Sequence, residues 1–136
     1  MFDRRHVRRH RTEGARLPAD PPPPGPADPL PEELLHETAA AFGMLSATVR
    51  LHIMWLLASG ERDVGTLAEE LGHSVATVSH HLGKLKLAGW VRARREGRRQ
   101  IYLVDDDEVV DIVRRAVHHQ HELRHTARAR RRRRGA

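Results

Sequence analysis

The chain has 136 residues, of which 39% are hydrophobic, so it can form one domain with one core. It contains no cysteine, which excludes disulfide frameworks, thiolate metal sites and cysteine nucleophiles. The formal net charge of +6 is unevenly distributed: residues 32–123 carry −3, residues 1–31 carry +2 and residues 124–136 carry +7.

The first 31 residues combine arginine and histidine pairs with a run of prolines from Pro21 to Pro24. Such a composition cannot form a core, so we predict that residues 1–31 are a disordered arm. The arm lacks the apolar centre of a signal peptide, and no apolar run approaches the roughly 18 residues of a membrane span. We therefore expect a cytoplasmic protein that has no membrane partner.

Two helices are predicted next. The first starts near Glu33 and continues through Phe42, with prolines allowed in its first turn. The second begins with Ser46 as its cap and continues to Gly60. Because this second helix is apolar on nearly all sides, we expect it to be central in the fold.

A third and a fourth helix flank a tight turn at Gly72. Asp63 is placed to cap the third helix. The fourth helix has apolar residues at three- and four-residue steps, which indicates a buried stripe. These residues are Val75, Val78, Leu82 and Leu85.

The other face of the fourth helix has short polar and methyl-bearing side chains at its start and cations further along. These residues are Ser74, Ala76, Thr77, Ser79, His80, His81 and Lys84. This mixture suits contact with base edges and phosphates in a major groove of DNA. On an ordinary surface helix lysine and glutamate would dominate, but there is no acidic residue between Gly72 and Trp90.

A basic hairpin follows the fourth helix. Apolar and basic residues alternate from Val91, reverse at Glu96-Gly97 and return through Leu103. The arginines that we predict to contact phosphates are Arg94, Arg95, Arg98 and Arg99. The whole pattern predicts a mainly α protein with a small β-hairpin, a winged helix-turn-helix that binds duplex DNA.

The last predicted helix begins in the acidic cluster at residues 105–108, where Asp105 and Glu108 have the spacing of a capping box, and ends near Leu123. Its apolar stripe has no evident partner within so small a domain. We therefore expect a homodimer that associates through the first and last helices. The basic tail at residues 124–136 is predicted to be disordered and to add sequence-independent DNA affinity.

Several segments together resemble the ArsR/SmtB family of bacterial metal-responsive repressors over roughly residues 33–122. They are Leu45–Leu51 at the second helix, Asp63–Ala68 and Ala76–Leu82 in the two DNA-reading helices, and Gly97–Tyr102 in the wing. The resemblance implies a homodimer that occupies an operator, represses transcription and leaves the DNA when an inducer binds.

The resemblance also implies where a metal inducer would bind. Many members have a Cys-x-Cys site where this chain has Asp63 and Gly65, so that site is excluded. Another family site lies on the last helix, and by resemblance its ligands here are Asp106, Glu108, His119 and Glu122. About 20 Å of helix separates Asp106 from His119, so only an antiparallel second copy could unite these ligands.

Several alternatives stay open from the sequence. A nitrogen and oxygen ligand set accepts Zn²⁺, Ni²⁺ or Co²⁺. His118, His121 and His125 could form or extend a site, with or without arm residues His6 or His10, or could be a solvated helix end. The protein could also be a regulator of this fold without a metal response, or a nonspecific DNA-coating protein. An enzyme is disfavoured because no nucleophile motif or phosphate loop is present.

Overall fold

A computed structural model describes residues 19–136. The predicted arm falls largely outside this part, and so do His6 and His10. The chain divides into two units, Met1–Pro31 and Glu32–Ala136. In the first unit, the described residues contain a turn in which the amide of Asp28 donates to the carbonyl of Gly25 at 3.1 Å.

The second unit contains the helices and strands. In chain order they are α1 (Glu32–Ser46), α2 (Thr48–Leu57), β1 (Arg62–Asp63), α3 (Val64–Leu71), α4 (Val75–Leu87), β2 (Val91–Glu96), β3 (Arg99–Val104) and α5 (Asp107–Arg134). This order confirms the prediction of a mainly α winged helix-turn-helix with a hairpin after the fourth helix.

The sheet has three antiparallel strands in the order β1-β3-β2. Glu96 pairs with Arg99 across a two-residue turn whose Gly97 has φ of 62°, a left-handed conformation that favours glycine. Strand β1 pairs Asp63 with Ile101 and so fixes the start of α3 to the wing. The sequence did not predict β1, because a strand of two residues shows no alternation.

The core lies between α2, α3, α4, the base of the wing and the first half of α5. Its buried members include Ile53, Met54, Leu57, Leu67, Val78, Leu82, Leu85, Trp90, Val91, Val109, Val110 and Val113. Three of the four apolar residues predicted to be buried in α4 are confirmed. Val75 is the exception, since half of its surface is exposed. It begins the helix one turn ahead of Val78, and no neighbouring element covers it.

Side-chain caps fix the starts of α3 and α5. The carboxylate of Asp63 accepts from the amide of Thr66 at 2.6 Å, which confirms the predicted cap. For α5 the cap is Asp106, one residue later than the capping-box spacing indicated. The prediction for α2 was wrong: Ser46 ends α1, where its hydroxyl donates to the carbonyl of Gly43 at 2.7 Å.

Helix α5 is longer than the sequence suggested. It continues without interruption to Arg134, whereas we expected disorder from residue 124. Arginine and alanine are good helix formers, and extending an existing helix adds one hydrogen bond per residue. Cations also suit the C-terminal end of a helix. Every residue from His118 onward is exposed, so this half of α5 extends away from the core.

Among residues 19–136, no single helix has the length and apolar character needed to cross a bilayer. Only α1 and α2 taken together reach that length and composition, and they meet at an angle of 88°.

Candidate nucleic-acid interface and metal-binding helix

The start of α4 carries its own hydrogen-bond network. Ser74 caps the helix, because its hydroxyl oxygen accepts from the amide of Thr77 at 3.1 Å. The same hydroxyl lies 2.9 Å from the Thr77 hydroxyl and donates to it. Both hydroxyl groups therefore already form hydrogen bonds within the first turn of α4. Their role in contacting DNA stays a prediction, and any such contact would have to use the remaining lone pairs.

Further along α4, the predicted contact face is open to solvent. Ala76, Ser79, His80 and Lys84 are all exposed. The buried stripe of Val78, Leu82 and Leu85 holds the opposite side of the helix against the core. The fold therefore presents a methyl group, a hydroxyl, an imidazole and an ammonium group on one accessible surface, as the sequence pattern indicated.

His81 differs from the other predicted contact residues because it faces α2. Its Nδ1 lies 3.2 Å from Nη1 of Arg50. A guanidinium has no acceptor, so Nδ1 must accept and the ring proton of the neutral imidazole must be on Nε2. Burial, with a further contribution from the Arg50 charge, lowers the pKa of His81. His81 is thus held as a neutral ring that can donate from Nε2.

Arg50 is the residue that sequence reasoning missed. Its Nε donates to the carbonyl of Met44 at 2.7 Å, which ties the end of α1 to α2 while the same guanidinium reaches His81. Arg50 and His81 are 31 positions apart in the chain, and neither helical periodicity nor local charge connects them.

The four wing arginines that the sequence predicts to contact phosphates divide into two pairs. Arg94 forms an ion pair with Glu61 at 2.5 Å and a longer one with Glu96 at 3.4 Å. Arg99 binds the carboxylate of Asp63, with its Nε at 2.8 Å from Oδ2. The Glu61 contact raises the pKa of Arg94. Much of the positive charge of this first pair is already neutralised within the protein.

Arg95 and Arg98 form the second pair. Within residues 19–136, neither has a carboxylate within salt-bridge distance; Arg95 only donates to the carbonyl of Gly97 at 3.4 Å. Both are exposed, and Arg98 lies at the tip of the hairpin. Sequence alone provided no basis for distinguishing among the four arginines. In the structure, Arg95 and Arg98 are the better candidates for phosphate contact, because no carboxylate of residues 19–136 neutralises them.

Asp63 links the wing to the helix-turn-helix. Its carboxylate caps α3 through the Thr66 amide and binds the Arg99 guanidinium from β3. The hydrogen bond from Thr66 first, and then that from Arg99, lower the pKa of Asp63 to about 2. This carboxylate occupies one end of the Cys-x-Cys position noted above, where it serves as a structural anchor.

The four ligands predicted by resemblance lie apart in one chain. Asp106 is the cap of α5, and its Oδ1 accepts from the amides of Glu108 and Val109 at 3.0 and 3.3 Å. His119 and Glu122 lie on the exposed half of the same continuous helix. No group of three or more potential ligands converges within residues 19–136. The helix therefore separates the two pairs of ligands, as the sequence argument required for a single chain.

Within α5, the structure brings two histidines together. Nε2 of His121 lies 2.9 Å from Nε2 of His125, and the two rings meet edge to face with centroids 4.3 Å apart. Both rings are exposed.

The profile of the family described as "Bacterial regulatory protein, arsR family" matches residues 47–93. The chain is 39% identical over 86 residues to the HTH-type transcriptional regulator KmtR of Mycobacterium tuberculosis, covering 63% of this chain and 66% of that protein. It is 38% identical over 88 residues to the cadmium resistance transcriptional regulatory protein CadC homolog of Staphylococcus aureus, covering 64% and 73%. Both relatives are named as transcriptional regulators, and neither name describes an enzyme.

A solved structure gives the same result for the fold. The homodimeric winged helix-turn-helix DNA-binding domain of a possible ArsR-family transcriptional regulator from Mycobacterium bovis superimposes with a TM-score of 0.60. The two sequences are 37% identical, and the match covers 68% of this chain and 87% of that one.

Proposed function

Because the chain belongs to the ArsR family of bacterial regulatory proteins, we propose that it is a dimeric transcriptional repressor. In this proposal the dimer leaves its operator when a divalent metal ion binds between the last helices of the two subunits. The observation that supports DNA binding most strongly is the exposed face of α4 beside a wing whose Arg95 and Arg98 have no carboxylate partner among residues 19–136.

Each part of this surface has a separate role in the proposed complex. Ser79, His80 and Lys84 lie on the side of α4 that would enter the major groove, where they can contact base edges and phosphates. His81, fixed by Arg50, offers its Nε2 proton to an acceptor on the DNA. Arg95 and Arg98 would bind phosphates from the wing and give affinity that falls as salt rises.

Dimerisation is supported by apolar surface that one chain leaves uncovered. No residue of α1 is buried, and Leu35 and Phe42 are 52% and 61% exposed. On α5, Ile112 and Leu123 are 44% and 50% exposed. Small monomers seldom leave several large apolar residues of neighbouring elements uncovered. A second copy would bury α1 and α5 together, and the similar M. bovis domain is described as homodimeric.

Metal binding would depend on that second copy. With two α5 helices antiparallel, Asp106 and Glu108 of one subunit could approach His119 and Glu122 of the other, giving two equivalent sites. Asp106 uses Oδ1 for the cap and keeps Oδ2 for an ion, and the other three side chains are exposed. One imidazole and three carboxylates suit Zn²⁺, Ni²⁺ or Co²⁺. The name of the S. aureus relative, which refers to cadmium resistance, supports a metal ion as inducer.

A gel-shift titration tests the proposal. The DNA is a duplex selected from a random pool by the parent protein, and each metal is added at micromolar concentration. We expect at least one metal to release the parent, and we expect a variant with His119→Ala and Glu122→Ala to stay bound. Gln120→Ala, an exposed change between the two ligands, is the matched control and should respond like the parent. Metal sensing is refuted if no metal alters DNA affinity, or if the double variant is released like the parent.

A further inference from the structure

The end of α5 is a helical surface with dense positive charge. Residues 124–134, which we call the arginine segment, contain seven arginines and no acidic residue, and all seven arginines are exposed. No carboxylate of residues 19–136 lies within salt-bridge distance of any of them. The segment is about 15 Å long, so it has about one charge per 2 Å. This density is close to that of duplex DNA, which has about one phosphate charge per 1.7 Å.

The helical form divides these arginines between two sides. Around a helix with 3.6 residues per turn, five of them fall within about 160° of the circumference and two lie outside it. The five are Arg124, Arg128, Arg130, Arg131 and Arg134, and the two are Arg132 and Arg133. No large apolar residue follows Leu123, so the segment has no apolar face for a membrane surface or a helical partner. Its charge pattern suits a long polyanion.

Helix α2 separates the arginine segment from the DNA-reading face of α4. Helix α2 packs against both α4 and α5, whereas α4 and α5 make no comparable contact with each other. Arg114 of α5 donates to the carbonyl of Ala58, just after the end of α2, at 3.1 Å. Further along α5, Val117 lines a cleft with Leu51, near the start of α2. Helix α5 therefore runs antiparallel to α2, and the arginine segment extends past the start of α2.

This arrangement keeps the two basic surfaces apart. Packed helices have axes about 8–10 Å apart, so the axes of α4 and α5, on either side of α2, are on the order of 15–20 Å apart. An operator on the outer face of α4 would be further away still. The Debye length at physiological salt is only about 8 Å. The arginine segment therefore adds little to the binding of an operator at α4 of the same subunit.

We propose that the arginine segment binds the phosphate backbone of a second DNA duplex, so that one protein bridges two segments of DNA. Guanidinium groups bind phosphates without reading bases, so the second duplex can have any sequence. Bridging rests on the proposed operator binding by α4 and the wing. Binding of a duplex by the arginine segment does not depend on that function.

A bound duplex would also relieve repulsion within the helix. Like charges three or four positions apart lie on neighbouring turns and destabilise a helix. Arg124 with Arg128 and Arg130 with Arg134 are such pairs on the five-arginine side. Because phosphates neutralise both members of a pair, DNA binding stabilises the helical form of the segment.

Two matched double variants test whether the helical segment binds DNA. Arg130→Gln with Arg134→Gln removes two charges from the five-arginine side, and Arg132→Gln with Arg133→Gln removes two charges from outside it. Glutamine is also a good helix former, so α5 should keep its length, which circular dichroism checks. Each change is made in a full-length background with Lys84→Ala, Arg95→Ala and Arg98→Ala, which disables the proposed operator surface.

The readout is fluorescence anisotropy with a labelled duplex of unrelated sequence at four salt concentrations. Each phosphate contact contributes about 0.9 to the slope of log affinity against log salt, so the first variant should flatten the slope by about 1.8. It should then lose about twelvefold less affinity than its background between 50 and 200 mM salt. The second variant should change the slope by less than about 0.5, because its arginines face away from the duplex.

A capture experiment tests bridging directly. The protein is bound to an immobilised operator duplex selected as described above, and a labelled duplex of unrelated sequence is then added. The parent should retain the labelled duplex. Arg130→Gln with Arg134→Gln, made in the parent, should retain at least tenfold less and still hold the operator. Arg132→Gln with Arg133→Gln should retain it like the parent.

Several outcomes would overturn the proposal. The two double variants could show equal slopes, neither could change the slope, or the operator-bound parent could capture no second duplex. The first variant could instead shift dimer to monomer in sedimentation equilibrium without altering DNA binding, which would show that the segment covers the acidic start of the partner's α5. A parent that fails to bind the operator would contradict the proposed function, and bridging with it. The slopes would still decide whether the arginine segment binds DNA.

Discussion

Replacing single wing arginines should separate those that bind phosphate from those that hold the protein together. Arg98 lies at the tip of the hairpin with no carboxylate partner among residues 19–136, whereas Arg99, its neighbour, is bound to Asp63. The two residues have the same charge and adjoining positions in the sequence. Arg98→Ala and Arg99→Ala therefore form a matched pair, and only the first should remove charge that is available to DNA.

The size of the effect follows from counterion release. Each phosphate contact contributes about 0.9 to the slope of log affinity against log salt concentration. A dimer has two wings, so Arg98→Ala should flatten the slope by about 1.8. Between 50 and 200 mM salt the parent should then lose about tenfold more affinity than the variant. Arg99→Ala should change the slope by less than about 0.5, because Asp63 already neutralises its charge.

The assay is fluorescence anisotropy of a labelled operator duplex at four or more salt concentrations, without metal. Thermal unfolding of each variant serves as a control, since Arg99→Ala removes a bond between the wing and α3 and should lower the melting temperature more than Arg98→Ala. The reasoning is refuted if Arg99→Ala flattens the slope as much as Arg98→Ala, or if Arg98→Ala leaves the slope unchanged.

Four further predictions concern the core, the α3 cap, the dimer and the Arg50 contact. Leu82→Ala removes a fully buried side chain and should lower the free energy of unfolding by about 2–5 kcal/mol in urea titrations; a change below about 0.5 kcal/mol would contradict the packing. The pKa of Asp63 is about 2 in the folded chain and 3.8 ordinarily, so its stabilising effect should be complete above pH 4 and lost as pH falls towards 2. The urea midpoints of the parent and of Asp63→Asn should therefore converge over that range. A constant difference would show that ionisation of Asp63 is not the source of the stabilisation. Leu123→Glu should shift the protein from dimer towards monomer, measured by sedimentation equilibrium. An unaltered dimer would show that Leu123 is not part of the interface. Arg50→Met should raise the pKa of His81 in an NMR titration, because the Arg50 charge no longer opposes protonation; an unchanged pKa would show that Arg50 does not contribute to lowering it.

Local patterns in the sequence predicted most of the fold. The spacing of Val78, Leu82 and Leu85 defined the buried side of α4, and the alternation after Val91 defined the hairpin. These features depend on residues within one or two turns of each other. Val75 follows the same spacing but is exposed, since periodicity gives a direction around a helix and does not tell where the neighbouring elements end.

The functional surface was less predictable because it depends on contacts between distant positions. Asp63 and Arg99 are 36 positions apart, and their ion pair removes one arginine from the cations available to phosphate. The contact between Arg50 and His81 fixes a tautomer that no local pattern encodes. In α5, the arginine-rich composition suggested disorder, but a helix that has already formed upstream is extended at little cost.

Thermodynamic reciprocity offers the most direct test of the proposed metal switch. If metal weakens operator binding by some factor, operator binding must weaken metal affinity by the same factor. The affinity of the parent for its releasing metal is therefore measured by competition with a chelator, without DNA and with saturating operator duplex. We expect the metal affinity to fall at least tenfold on DNA and to match the loss of DNA affinity caused by metal. Equal metal affinities in the two states would contradict the account.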